Sequence, residues 1–203
     1  MTSFEFRAKA RAALGNNIFG NQWLLALVVV LVHSTVLSVA GYIGFGILSI
    51  ILVGPLEFGL CRVFLKRTRG IEEIKVENLF SGFSNDFSGN LVTGLLKSIF
   101  LTLWGLLIIP GIIKNYSYAM TFYVKNDNPT LSATQCITES RKLMRGNKWR
   151  LFCLDLSFLG WEIVGSLCFG VGILWVIPYH EAARACFYEE ISSGKDAFCN
   201  AEI

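Results

Sequence analysis

Residues 146–188, GNKWRLFCLDLSFLGWEIVGSLCFGVGILWVIPYHEAARACFY, constrain this chain more than any other stretch. Two apolar runs meet at Gly170-Val171-Gly172, Lys148 and Arg150 give the first a basic edge, and Pro178 interrupts the second. A bilayer core about 30 Å thick needs about 20 helical residues at about 1.5 Å each, and residues 151–169 and 172–188 approach that length. The stretch reads as a membrane hairpin.

Composition agrees with that reading. Of 203 residues, 53% are hydrophobic and 16% charged, against roughly 25% charged in soluble domains, and the mean hydropathy is +0.53. A formal net charge of +3 is too small to argue for nucleic acid as a partner. The six cysteines, Cys61, Cys136, Cys153, Cys168, Cys186 and Cys199, form no CxxC pair and read as reduced, buried thiols rather than disulfides or zinc ligands.

In chain order, residues 3–14 form a short amphipathic segment, with Phe4, Phe6 and Leu14 set against Arg7, Lys9 and Arg11, suited to a membrane surface. Candidate spans follow at 23–40, 44–65, 91–109, 112–124, 151–169 and 172–188, making residues 1–203 a single integral membrane domain. A secretory leader ending near Ser38-Val39-Ala40 is the rival reading of the first span. Gly54-Pro55 interrupts the second span, and Pro110-Gly111 is expected to end the third. The fourth is short and broken. Leu79, Phe80, Phe83 and Phe87 in the second loop are available to rest on a membrane surface, and a helix is expected from residue 130 to 144.

Charge placement supports six crossings. Residues 1–22, 66–90, 125–150 and 189–203 hold 14 of the 18 Lys and Arg. Six crossings put all four segments on one side, cytoplasmic by the positive-inside rule, with both termini there. The expected fold class is thus all-α, a polytopic helical bundle of three hairpins with proline-broken second helices and interfacial amphipathic helices. Gly20-Asn21, Gly89-Asn90 and Gly146-Asn147 precede the three hairpins as a weak internal repeat, with each asparagine placed to cap a helix.

The side chains that could carry chemistry are the ionisable ones inside the spans: Glu57, Arg62, Asp155, Glu162, His180, Glu181 and Arg184, with His33 at similar depth. A charge at membrane depth costs about 2.5–3.5 kcal/mol on insertion scales, so such groups face the bundle interior and pair. Two readings stand side by side. The cluster is a proton or ion relay or a headgroup pocket, or it is a set of structural pairs, Asp155 with Arg184 and Glu57 with Arg62 or Arg184. His180-Glu181-Ala182-Ala183-Arg184 departs from the zinc-protease pattern HExxH at its fifth position, where arginine cannot ligate zinc. No catalytic, metal or cofactor constellation is present in the sequence pattern. The basic stretch 141–150 suits anionic lipid phosphates or topology determination.

ARAALGN near the start, GPLEFGLCRVFLKRTRG, LFSGF, NKWRLFCLDLSFLGWEI and GILWVIPYHEAARACFYEEI together resemble the bacterial integral-membrane family catalogued as domain of unknown function 975, over residues 4–191. The resemblance implies a multi-pass, all-helical inner-membrane protein, more distantly similar to the membrane domains of some glycerophosphodiester phosphodiesterases, and it carries over no catalytic residue. Three functional expectations follow. The first is a non-enzymatic protein binding or moving a small amphiphile or lipid in envelope homeostasis. The second is an accessory subunit docking a protein partner through its amphipathic segments, or a homo-oligomer. The third is an intramembrane lipid enzyme, which needs Glu162 and His180 within about 6 Å of one another in an open pocket.

Overall fold

A computed structural model describes residues 2–15, 17, 19–43, 46–167 and 171–199. Among them every regular element is helical and no strand occurs. The elements are α1 (Ser3–Leu14), α2 (Asn21–Ile43), α3 (Ile47–Thr68), a 3-10 turn (Val76–Phe80), α4 (Ser81–Ser84), α5 (Phe87–Gly105), α6 (Ile108–Tyr118), α7 (Thr121–Asp127), α8 (Ala133–Leu143), α9 (Lys148–Leu167) and α10 (Val171–Cys199). Helices α2 and α3, α5 with α6–α7, and α9 with α10 form three antiparallel hairpins. Gly170 of the expected turn, Cys168 within the expected fifth span and Gly44 at the expected start of the second lie outside the described residues.

Helix α1 begins on a capping box between Thr2 and Glu5 and ends at Gly15, whose φ of 95° suits glycine. Phe6, Ala10 and Leu14 recur every fourth residue, so they form one stripe, and that stripe is buried. Phe6 meets Phe187 at 5.2 Å between ring centroids, and the Tyr179 hydroxyl donates to the Arg7 carbonyl at 2.9 Å. The amphipathic segment is thus keyed onto α10. Phe4, expected on the same apolar face, is 71% exposed. Helix α8 starts on a second capping box, Ser132 with Gln135, and turns Cys136, Ile137 and Ser140 inward.

Several boundaries differ from the sequence reading. The third helix starts at Phe87 rather than residue 91, because Asp86 caps it, accepting from the Gly89 N–H at 3.1 Å with φ of 50°. Asn90 is not a cap. It is fully buried, and its amide donates to the carbonyls of Gly82 and Asn85 at 3.0 and 2.7 Å. The chain breaks at Leu106-Leu107, not at Pro110-Gly111. Pro110 sits in the first turn of α6, where a backbone N–H would have no helical partner in any case. The short fourth pass is divided by Ala119-Met120 into α6 and α7. The three Gly-Asn pairs do not superpose as helix starts, since Asn21 opens α2, Asn90 lies inside α5 and Asn147 precedes α9. Leu79 belongs to the core at 0% exposure rather than to a surface, while Phe83 is tilted against Phe80 at 6.3 Å and stacked on Phe87 at 5.9 Å.

Close approach at glycine joins the first two hairpins. Gly54 lies against the Asn90 carbonyl and Gly94 backbone, and Gly59 against the Leu79 carbonyl, so a β-carbon at either place would strike backbone. Below them lies the core, where Leu56, Phe64, Met120, Phe122, Leu151, Phe158 and Phe187 are buried. Each such side chain contributes about 1.5–3 kcal/mol by leaving water.

The hairpin ends bearing the basic segments share one face. There Arg69 makes a bidentate pair with Asp127 at 2.7 and 2.8 Å and reaches Glu189 at 2.6 Å. Arg150 pairs with Glu190 at 2.7 Å, and the Arg67 Nε donates to the Ala13 carbonyl at 2.6 Å. The opposite ends are apolar and open: Tyr42 is 88% and Leu106 79% exposed, and Leu48, Ile99, Leu103, Ile112, Leu159 and Ile163 stand outward with them. An apolar surface of that extent marks contact with something other than water. Two helices, Asn21–Ile43 and Leu48–Thr68, are long and apolar enough to cross a membrane, with mean hydropathies of 2.3 and 1.8. The remaining candidate spans are interrupted by charge or brevity: Lys97 in α5, Asp155 and Glu162 in α9, Glu181 and Arg184 in α10, and a length of eleven residues in α6.

Candidate functional site

Where the apolar ends meet the charged base, α3, α5, α6, α7, α9 and α10 line a cavity of about 340 Å³. Glu57 is the sole acid of α3 and Lys97 the sole charge of α5. They meet across the cavity wall at 2.7 Å, and the Lys97 ammonium also lies 4.8 Å from the centre of the Phe122 ring. Lys97 has no acid on its own helix, and Arg62, the nearest cation along α3, is turned about 140° from Glu57, so the two charges meet between the helices.

The facing wall is built by α9 and α10. The Asp155 carboxylate receives Arg184 Nη2 at 3.0 Å and Nε at 3.3 Å, and stands 2.7 Å from His180 Nε2. A carboxylate ionised by an adjacent guanidinium only accepts hydrogen bonds, so His180 Nε2 carries the hydrogen. The imidazole is stacked on Phe158 at 4.6 Å between centroids, which fixes its plane. Asn115, Tyr116 and Tyr123 complete the polar lining, with the Tyr116 hydroxyl beside Asp155 and Tyr123 beside Cys61. Glu181 lies on the cavity wall, takes part in none of these pairs and feels the field of Arg184. His33 Nε2, on α2, is buried without a hydrogen-bond partner and lies in the field of Glu57 and Glu181.

The expected cluster is thus assembled in part. Glu57, Asp155, Glu181 and Arg184 share one cavity, and the expected Asp155–Arg184 pair forms. Glu57 does not pair with Arg62 or Arg184; its partner is Lys97. Arg62 is five residues from Glu57, about 140° around the helix, and it lines a separate hollow of the base with Asp86 and Asp127. Glu162 reaches His180 Nδ1 at 3.6 Å, within the separation an acid–base couple needs, yet neither residue lines the central cavity. Among the described residues no group of three or more His, Cys, Asp or Glu is placed to hold a metal ion. Lys97 was readable in principle as the lone cation of an apolar helix. The tyrosines and Asn115 gave no signal, since their role depends on which helix faces which.

The fold and cavity define an all-helical protein of three hairpins, apolar at one end, with two helices able to cross a membrane and a mixed-charge cavity at the junction. The chain belongs to the family described as protein of unknown function DUF975, whose model matches residues 1–113 and 106–195. No curated protein and no solved structure matches it.

Proposed function

We propose that this chain is a multi-pass protein of the bacterial inner membrane that binds, and moves, a small amphiphile whose amine-bearing headgroup enters the central cavity. In this reading the hairpins make six crossings, the fourth short and broken, and the charged base faces the cytoplasm with both termini. The observation that carries it is the excess acid of the cavity: Glu57, Asp155 and Glu181 face Lys97 and Arg184, and Glu181 is left outside the ion pairs. A purely structural set of charges would pair completely and close the space, because an uncompensated charge away from water is costly. Apolar wall residues such as Val53, Leu60 and Leu101 give a ligand's tail a surface beside the charges. The accessory-subunit reading draws less support, because α1 and α8 turn their apolar faces into the chain itself.

The test is native mass spectrometry of the full chain purified in a lipid-preserving detergent, on wild type, Glu181→Gln and Arg184→Gln. Wild type is expected to carry an amine-bearing amphiphile. Glu181→Gln loses it with an unchanged thermal midpoint, and Arg184→Gln loses both ligand and stability because Asp155 is stranded. A wild type that carries nothing, or a Glu181→Gln protein that keeps its ligand, overturns the proposal.

A further inference from the structure

On the far side of the α9–α10 hairpin, away from the central cavity, two adjoining hollows of about 280 and 340 Å³ share Arg11, Trp161 and Tyr179 as common walls. The inner hollow is apolar. It is walled by Trp23, Trp161 and Trp175, and its floor is the crossing of α9 and α10 at Gly165 and Gly172, where a β-carbon on Gly165 would lie 2.8 Å from the Ile173 nitrogen. The two glycines let the helices touch there, and the hollow lies over that crossing with Trp161 and Trp175 among its walls.

The outer hollow is cationic. Arg7 and Arg11 of α1 line it with Phe4 and Ala8, and no acid lines either hollow among the described residues. Arg7 Nε is buried and has no acceptor. The Arg11 guanidinium lies 5.8 Å from the centre of the Tyr179 ring rather than against a carboxylate. Tryptophan and tyrosine collect where hydrocarbon gives way to headgroups, and arginine is suited to bidentate capture of phosphate.

We propose that this groove holds one anionic phospholipid of the surrounding bilayer, its phosphate on Arg7 and Arg11 and an acyl chain in the apolar hollow walled by Trp161 and Trp175. Charge complementarity selects the occupant: two arginines without acids, one with an unpartnered N–H, at the mouth of an aromatic, apolar slot. Bound there, the lipid bridges α1 to the α9–α10 hairpin. The proposal rests on the reading that the apolar ends lie in lipid, and is independent of what enters the central cavity.

Native mass spectrometry of the full chain, delipidated and titrated with phosphatidylglycerol or phosphatidylcholine of identical acyl chains, tests it. Wild type is expected to bind one phosphatidylglycerol at least about tenfold more tightly than phosphatidylcholine. Arg7→Gln with Arg11→Gln is expected to lower that affinity about thirtyfold, two phosphate-facing cations being lost. Ala8→Glu keeps both arginines but sets a carboxylate at the phosphate position, and is expected to lose the preference without loss of fold. Glu181→Gln, in the other cavity, is expected to keep it. Equal binding of the two lipids, or phosphatidylglycerol preference surviving in both arginine and Ala8→Glu variants, refutes the site. Loss of the amine ligand in Glu181→Gln with phosphatidylglycerol retained separates the two proposals.

Discussion

Lys125 offers the sharpest test of how the base is held together. Its side chain is 3% exposed, and its ammonium donates to Asp86 Oδ2 at 2.8 Å, the Pro129 carbonyl at 2.8 Å and the Leu131 carbonyl at 3.0 Å. One buried cation thereby ties α7, the start of α5 and the loop leading to α8. Lys125→Met keeps most of the volume but leaves two carbonyls and a carboxylate without their donor. Breaking a buried pair from one side costs about 3–5 kcal/mol, and the lower end applies because Asp86, 42% exposed, can be rehydrated. Asp86→Asn should cost only about 1 kcal/mol, since asparagine caps a helix and tolerates positive φ as well as aspartate does, and Lys125 keeps both carbonyls. At about 2–4 °C per kcal/mol for a chain of this size, Lys125→Met is expected to lower the thermal midpoint in detergent by about 6–10 °C and Asp86→Asn by about 2–4 °C. The hydrogen bond from the Lys125 ammonium holds the Asp86 carboxyl below its usual range, against a smaller opposing effect of burial. A depressed folded value means that the carboxylate stabilises above its unfolded pKa of about 3.9 and stops doing so as pH falls through the folded value. The gap between wild type and Asp86→Asn should therefore be flat from pH 8 to 5 and close below about pH 4. Equal losses in the two variants, or a gap that closes near neutrality, would refute the reasoning.

Gly59→Ala is expected to cost about 1–3 kcal/mol as an overpacked contact, because the Leu79 backbone must move; Gly105→Ala, with nothing near its β-carbon, is the control, and equal thermal midpoints would remove the close approach from the account. Trp23→Phe keeps the ring beside Tyr179 at 5.7 Å but loses the 2.7 Å bond from Nε1 to the Gly15 carbonyl. The loss of about 1 kcal/mol should appear as faster amide hydrogen exchange confined to α1, and exchange that rises uniformly would argue against a local anchor.

Much of the helical layout was legible from residues alone. Apolar runs bounded by glycine, proline and basic clusters placed most helix ends within a few positions, although α10 runs past residue 188 to Cys199, and the recurrence of Lys and Arg in alternate segments put the base of every hairpin on one face. The stripe of α1 was legible too, although its partner was not. Helix ends were read less well: a lone aspartate in the left-handed region started α5 four residues early, and Pro110 settled into a first turn that has no use for its missing N–H.

What only the tertiary structure decided is who faces whom. Hydropathy and charge are properties of a segment, and they say that Glu57, Lys97, Asp155 and Arg184 each need a partner. Partner choice depends on the rotation of each helix about its axis, which packing sets through contacts such as Gly54 against Gly94 and Gly165 against Gly172. That rotation sent Arg62 to the base, gave Glu57 to Lys97 and left Glu181 facing the open cavity.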